Sequence, residues 1–365
     1  MPSDPIIPTP CAGWPNASLC YPLYFASLAP GIAQAHAEGR HEQPVPWTLN
    51  LYFENYLFGE TDQNHTSGVR ISWVSSDTNT LASEALYPHW LQDLNKQLRF
   101  FNRIDDQLEH NVVLTLGQLM YTPSSTERYD LAVDERPYAG YLYGGIAYHT
   151  RGDEQLDIIE LNIGIVGPAA LAHETQDFIH DLRGFEKYNG WDNQLRNELG
   201  LQLIYEHKEK IFKGNVVGTI HHDFIAHAGA TLGNVATYLN IGGEYRIGWQ
   251  LPDDFGTSAV RTGGDNATPG RHDYRRLSPN GLFHSLHAFF SMDSRLVAQD
   301  IFLDGNTFRD SHSVDKESAV ADFSLGLSFI TGRRKVSFAH VYRTRECKQQ
   351  AHHHKYGSLS LSYSL

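Results

Sequence analysis

The sequence predicts an all-β protein, a transmembrane antiparallel β-barrel of about 12 strands with short helical insertions near its active site. Three observations carry this. The run Tyr356–Leu365 alternates strictly, with Leu359, Leu361, Tyr363 and Leu365 on one face and Ser358, Ser360, Ser362 and Ser364 on the other. A strand of that kind leaves an edge that must be paired, and closing the sheet on itself supplies the partner. Aromatic residues are plentiful (19 Tyr, 18 Phe, 6 Trp) while mean hydropathy is only -0.40, as expected where lipid-facing residues occupy alternate positions. Finally, many short alternating segments are separated by turn residues, and no continuous apolar run is long enough for a membrane helix.

Thr48–Phe58 reads as the first strand and Val69–Val74 as the second, joined by the turn-rich stretch Gly59–Ser67. Leu81–Phe101 loses the period of two and reads as a loop or short helix. Alternation returns at Val112–Tyr121, where Val112, Leu114, Leu116 and Met120 face one way and Thr115, Gly117 and Leu119 the other. Further strands are expected at Gly140–Tyr148, Gln155–Ile165, Glu198–Glu206, Ile211–Val217, Phe224–Leu232, Ala236–Trp249, His284–Met292, Leu296–Leu303, Ala319–Phe329, Lys335–Tyr342 and the final run. Aromatic residues near strand ends, such as Tyr141, Tyr143 and Tyr148, suit the two membrane interfaces. The long polar segment Pro252–Gly281 fits an extracellular loop rather than a tight turn.

No repeat or domain linker interrupts this series, so residues 47–365 are expected to form one barrel domain. Residues 1–46 read as a leader resembling an export signal, disordered or processed. Cys20 to Ala33 is moderately apolar and Ala35-His36-Ala37 has a small-x-small pattern, but no Lys or Arg precedes the apolar stretch at close range. The net charge of -13 opposes a nucleic-acid binder. The three cysteines, Cys11, Cys20 and Cys347, have neither metal-ligand spacing nor the even number of a disulfide framework.

One segment breaks the β pattern. Ala169–Tyr188 follows Gly167-Pro168, a natural break before a helix, and places Gln176 and His180 four apart on one helical face. Leu171, Phe178, Leu182 and Phe185 offer apolar contacts on neighbouring sides. A histidine beside an amide and near a carboxylate such as Glu186 suits a general base, although a lone histidine on a short helix is more often a packing or surface residue. Asn55, with Thr66 beyond it, offers donors for an oxyanion or oxygen for a hard cation, with an ordinary Asx turn as the plainer reading. In Asp134-Glu135-Arg136 the charges either pair locally or face a ligand; spacing does not choose.

These pieces, in this order, resemble the outer-membrane lipid A 3-O-deacylase family. The matching stretches are Phe53–Phe58, Asn64–Gly68, Gly117–Pro123, Asp134–Gly140, Gly164–Pro168, Gln176–Glu186 and Trp191–Gln194. The resemblance implies a twelve-stranded barrel in the bacterial outer membrane, acting on lipid A or lipopolysaccharide among outer-membrane lipids. It implies a calcium-dependent (Ca2+) hydrolase that removes the 3-O-linked acyloxyacyl chain. The catalytic set it implies is His180, Gln176, Glu186, Asn55 and Thr66. In one place the pattern departs: the family has Asp directly after its active-site Asn, where this chain has Tyr56, and a neutral phenol is no substitute for a carboxylate on calcium. The alternatives are a structural or adhesion barrel without enzymatic activity and a barrel phospholipase. No nucleic-acid partner is expected, and closure of the sheet makes a monomer sufficient.

Overall fold

The computed structural model describes residues 47–55, 66–78, 108–257 and 267–365. The leader, residues 56–65 with Tyr56, and the segment Leu81–Phe101 lie outside the described residues, as does the side chain of Thr66. Twelve antiparallel strands form a closed barrel in which each pairs with its sequence neighbours and the first meets the last. They are β1 (Thr48–Asn55), β2 (Thr66–Val74), β3 (Glu109–Tyr121), β4 (Ala139–Arg151), β5 (Gln155–Val166), β6 (Glu198–Val217), β7 (Ile220–Gly233), β8 (Ala236–Trp249), β9 (Ser285–Asp300), β10 (Ala319–Thr331), β11 (Arg334–Arg343) and β12 (His354–Ser364). Helix α1 (Ala172–Arg183) lies between β5 and β6, α2 (Tyr274–Leu277) between β8 and β9, and α3 (Ile301–Asp304) between β9 and β10.

Alternation decides which side chain meets lipid. Leu49 and Leu51 of β1, Ile71 of β2, Leu114 and Leu116 of β3, and Leu325 and Leu327 of β10 are exposed on the outer wall. Their neighbours Thr48, Asn50, Arg70, Ser72 and Ser328 are buried in the lumen. The serine face of β12 points inward, and Thr48 of β1 shares a hydroxyl hydrogen bond of 2.9 Å with Ser364 across the closing seam. Closure pairs β1 with β12 from Thr48–Ser364 to Asn55–Gly357, so both edges find partners, as a membrane-spanning sheet requires.

Two pairs of expected strands merge. Glu198–Glu206 and Ile211–Val217 are one long β6, and His284–Met292 continues into the next segment as β9. The expected strand Leu296–Leu303 is corrected at its end: Asp300 caps a turn of helix at Ile301–Asp304, its carboxylate accepting from the Phe302 N–H.

The expected extracellular loop Pro252–Gly281 is corrected in its described part. It leaves the rim where β1 begins and β12 ends, opposite the rim that carries α1, and its described part folds back into the lumen. Asp254 is buried and receives Lys335 of β11 at 2.8 Å, Arg275 at 2.9 Å and Arg246 of β8. Arg151 of β4 donates to the Asp253 carbonyl at 2.9 Å and to that of Thr268. A segment rich in turn residues reads as a solvated loop, yet its charges match those the lumen wall presents. Towards the other rim the lumen is crossed by Arg295–Asp322–Arg343 and Arg136–Glu346.

Because Asp254 is the shared partner of three cations, Asp254→Ala is expected to destabilise the barrel by about 3–5 kcal/mol. Urea unfolding in detergent, followed by tryptophan fluorescence, measures this; an unchanged midpoint would remove the network from the stability of the fold.

Candidate active site

Helix α1 begins where the chain leaves β5. Gly167 (φ 99) and Pro168 end the strand, a single 3-10 turn spans Pro168–Ala170, and Leu171 adopts a left-handed conformation (φ 57) as the helix starts. Twelve residues are marginal for an isolated helix, so docking decides its position. Ala172, Gln176 and His180 recur every four residues and are the buried positions of α1.

The surface they meet is the outer face of the wall. On β3 the outward positions run Leu114, Leu116, Gln118, Met120, and on β4 they include Gly140, between the inward rings of Tyr141 and Tyr143. Gln118 donates to the Ala170 carbonyl at 2.7 Å. Met120, Tyr138, Ala172 and Trp191 form one buried cluster with Tyr188 against it. A methyl added at Gly140 would lie 2.5 Å from the Cβ of Ala172 and 3.1 Å from that of Ala170. The missing side chain is therefore what lets helix and strand touch.

Two contacts orient the polar groups. Trp191 donates its indole N–H to the Gln176 carbonyl oxygen at 2.7 Å, and its ring stacks on His173 at 5.6 Å and tilts against Tyr138 at 4.9 Å. Burial pushes the Tyr138 phenol up to about 12, so it is a neutral packing ring at neutral pH. At the other end, Gly184 (φ 69) reverses the chain and brings the Glu186 carbonyl to 2.5 Å from His180 Nδ1. A carbonyl only accepts, so Nδ1 carries the proton and Nε2 keeps its lone pair. Tyr188 and Phe185 meet the imidazole edge-on at 4.8 and 5.9 Å and hold its plane.

The sequence-predicted residues are distributed unevenly. Gln176 and His180 share the wall-facing side of α1, as their spacing predicts. Glu186 touches His180 through its main chain, while its side chain is exposed. Asn55 is buried at the end of β1 on the outward parity. Thr66 opens β2 opposite Tyr121. Leu171, Phe178, Leu182 and Phe185 do not pack on the wall; they are 50%, 68%, 76% and 44% exposed. Arg136 is buried and paired with Glu346 at 3.1 Å, which answers the question its spacing left open.

Ser67 and Gln118 were not legible as site residues, yet each carries a signal: a polar side chain among outward Val69, Ile71 and Trp73, or between Leu116 and Met120, where lipid favours apolar groups. The register aligns them. His340 and Asn55 both pair with Gly357, Ser67 pairs with Met120, and Met120 with Gly140. Asn55 stands one position beyond the Glu54–Gly68 pair, beside Ser67. The outward row His340, Gly357, Asn55, Ser67, Met120, Gly140 thus crosses six adjacent strands and ends under α1.

A closed barrel with a helix docked on its outer wall and an oriented imidazole on that helix defines an outer-membrane barrel with a candidate site on its outer wall. The chain belongs to the family described as "Outer membrane protein LpxR", whose model matches residues 19–365; it is a lipid A-modifying enzyme of hydrolase type in the bacterial outer membrane. The solved structure of LpxR from Salmonella typhimurium is similar, with 15% identity over 87% of this chain and 99% of that one and a TM-score of 0.66. The β domain of the Bordetella autotransporter BrkA matches at 8% identity over 87% and 97% of the two chains, with a TM-score of 0.40. No curated protein matches the sequence.

Gly140→Ala is expected to lift α1 from the wall and lower activity on lipid A at least tenfold. The barrel's heat-dependent mobility shift on gels should stay intact. Wild-type activity in this variant would mean that the close approach is dispensable.

Proposed function

We propose that the chain is a carboxylic ester hydrolase that removes the 3-O-linked acyloxyacyl chain from lipid A. The observation that carries this reading is the His180 imidazole, held by the Glu186 carbonyl with Nε2 as its basic nitrogen, on the wall side of a helix outside the barrel. Nε2 takes a proton from water as its oxygen attacks the acyl carbonyl. The tetrahedral intermediate collapses by breaking the bond to the sugar oxygen, which receives the proton back from the imidazolium. Asn55 is proposed as a donor to the oxyanion, and Gln176, tied to Trp191, positions the helix face that carries His180; Thr66, which the backbone register sets opposite Tyr121 and on the other parity from Ser67, takes no part in this scheme. Glu186 acts through its main chain in this scheme.

The family resemblance also implies calcium. Among the described residues no group of three or more His, Cys, Asp or Glu side chains is placed to hold a metal, and Asn55 by itself is a poor site for a hard cation. We therefore propose a dependence of low affinity. Activity should survive EGTA in part, with stimulation only at roughly millimolar calcium. Complete loss in EGTA, restored at micromolar calcium, would require ligands beyond the described residues.

The direct test is purified protein in detergent with lipid A, its products read by mass spectrometry. His180→Ala should lower the rate by about 10²–10⁴-fold, whereas Glu186→Gln, which keeps the carbonyl, should stay within about tenfold of wild type. A barrel that releases no fatty acid under any calcium condition would be structural. Release from glycerophospholipids instead would make it a phospholipase.

A further inference from the structure

We propose that the outer face of the β11–β12 hairpin is a phosphate-binding site for the headgroup of the glycolipid substrate, built on Lys355 and His340. The inference rests on the lipid A reading and deepens it.

The register supplies the placement. His340 and Asn55 flank Gly357 from opposite sides, and Gly357 has no side chain to stand between them. With strands roughly 4.8 Å apart, the His340 and Asn55 backbones are about 10 Å apart across one shallow gap. One step towards the same rim, Lys355 pairs with Tyr342, and Lys355 shares the outward parity of Gly357 while Tyr342 shares that of His340. Tyr342 in turn packs its ring at 5.0 Å from that of His353. The patch therefore adjoins Asn55 on the side away from α1. An ester seated between Asn55 and His180 would extend its sugar towards it.

The charge is local and unusual for this chain. Residues 340–355 carry four Lys or Arg against one acidic residue, Glu346, and four histidines, in a protein of net charge -13; Arg343 and His354 turn inward to Asp322 and Glu346 and Lys348 faces Asp315, which leaves His340 and Lys355 to the outer face. Glu346 is buried and turned to Arg136, with His354 beside it. It does not neutralise the outer face. His340 and Lys355 are exposed and make no ion pair among the described residues. In the lumen, by contrast, Arg246, Arg275 and Lys335 are each paired with a carboxylate. An ammonium and an imidazole at the lipid-facing rim suit a phosphate monoester, which offers several oxygens to both. A headgroup phosphate is also the anion that the leaflet itself brings to this height on the wall.

The test uses full-length protein in detergent micelles, with bisphosphorylated lipid A and the same lipid lacking one or both phosphates. Lys355→Ala combined with His340→Ala should raise KM for the bisphosphorylated substrate by about ten- to hundredfold, the worth of a charge-assisted contact, with kcat within about twofold. It should have no effect on the fully dephosphorylated substrate, and Lys355→Arg should restore most of the loss. Arg334→Ala, an exposed cation at the opposite rim of β11, should change nothing. Equal losses on both substrates, or none on either, overturn the proposal. Inorganic phosphate at about 10 mM should not compete; inhibition that disappears in the double variant would assign the patch to free phosphate and overturn the headgroup assignment. Should the wild type hydrolyse nothing, the lipid A reading fails by itself. Retention of bisphosphorylated against dephosphorylated lipid A on the protein then decides the site: a preference lost in the double variant supports it, and no preference overturns it.

Discussion

Every feature of this protein depends on one constraint: in hydrocarbon, a backbone amide or carbonyl has no water to turn to. The β1–β12 seam answers it. Once Thr48 to Glu54 are paired on both sides, no edge remains, and the alternation of each strand sorts side chains into a lipid-facing set and a lumenal set without further instruction. The sorting produces the arrangement in which the imidazole sits. Helix α1 docks on outward positions, against Gly140 and Met120, while the lumen holds Arg70–Glu160, the Asp254 cluster and the Arg295–Asp322–Arg343 chain.

The chemistry of the helix depends on small margins. Gly140 and Gly184 do different work: one lets two backbones approach, the other turns the chain so that a carbonyl meets a ring nitrogen. Neither contributes a functional group. Gln118 and Trp191 act similarly, one fastening the turn before the helix and the other fixing an amide within it. The histidine is therefore presented by a set of neutral, mostly buried contacts, and its tautomer is set by a main-chain atom rather than by a carboxylate.

Much of the architecture was legible from period-two patterning, because a barrel writes its two faces directly into the chain. The serine face of β12 and the leucines of β3 show this. What patterning could not convey was continuity: β6 and β9 read as broken where charged residues such as Glu206–Lys210 or Asp293–Arg295 sit in strands. The turn at Ile301–Asp304 was hidden by apolar residues that suit a strand equally well. Pro252–Gly281 misled for a physical reason, since a loop of charges looks the same whether water or a matching set of buried charges receives it. At the site, the spacing of Gln176 and His180 was enough to place them together. Nothing local announced that Phe178 and Leu182 would face away from the wall, because an amphipathic helix at a membrane has two apolar environments to choose from.

The filled lumen has a consequence for traffic. Salt bridges cross the lumen and the helix that carries the imidazole lies outside it, so under the proposed reading a lipid substrate comes sideways, by diffusion within the leaflet, and not through the barrel. Encounter then depends on how many glycolipids share the plane with the barrel and on how freely they move there.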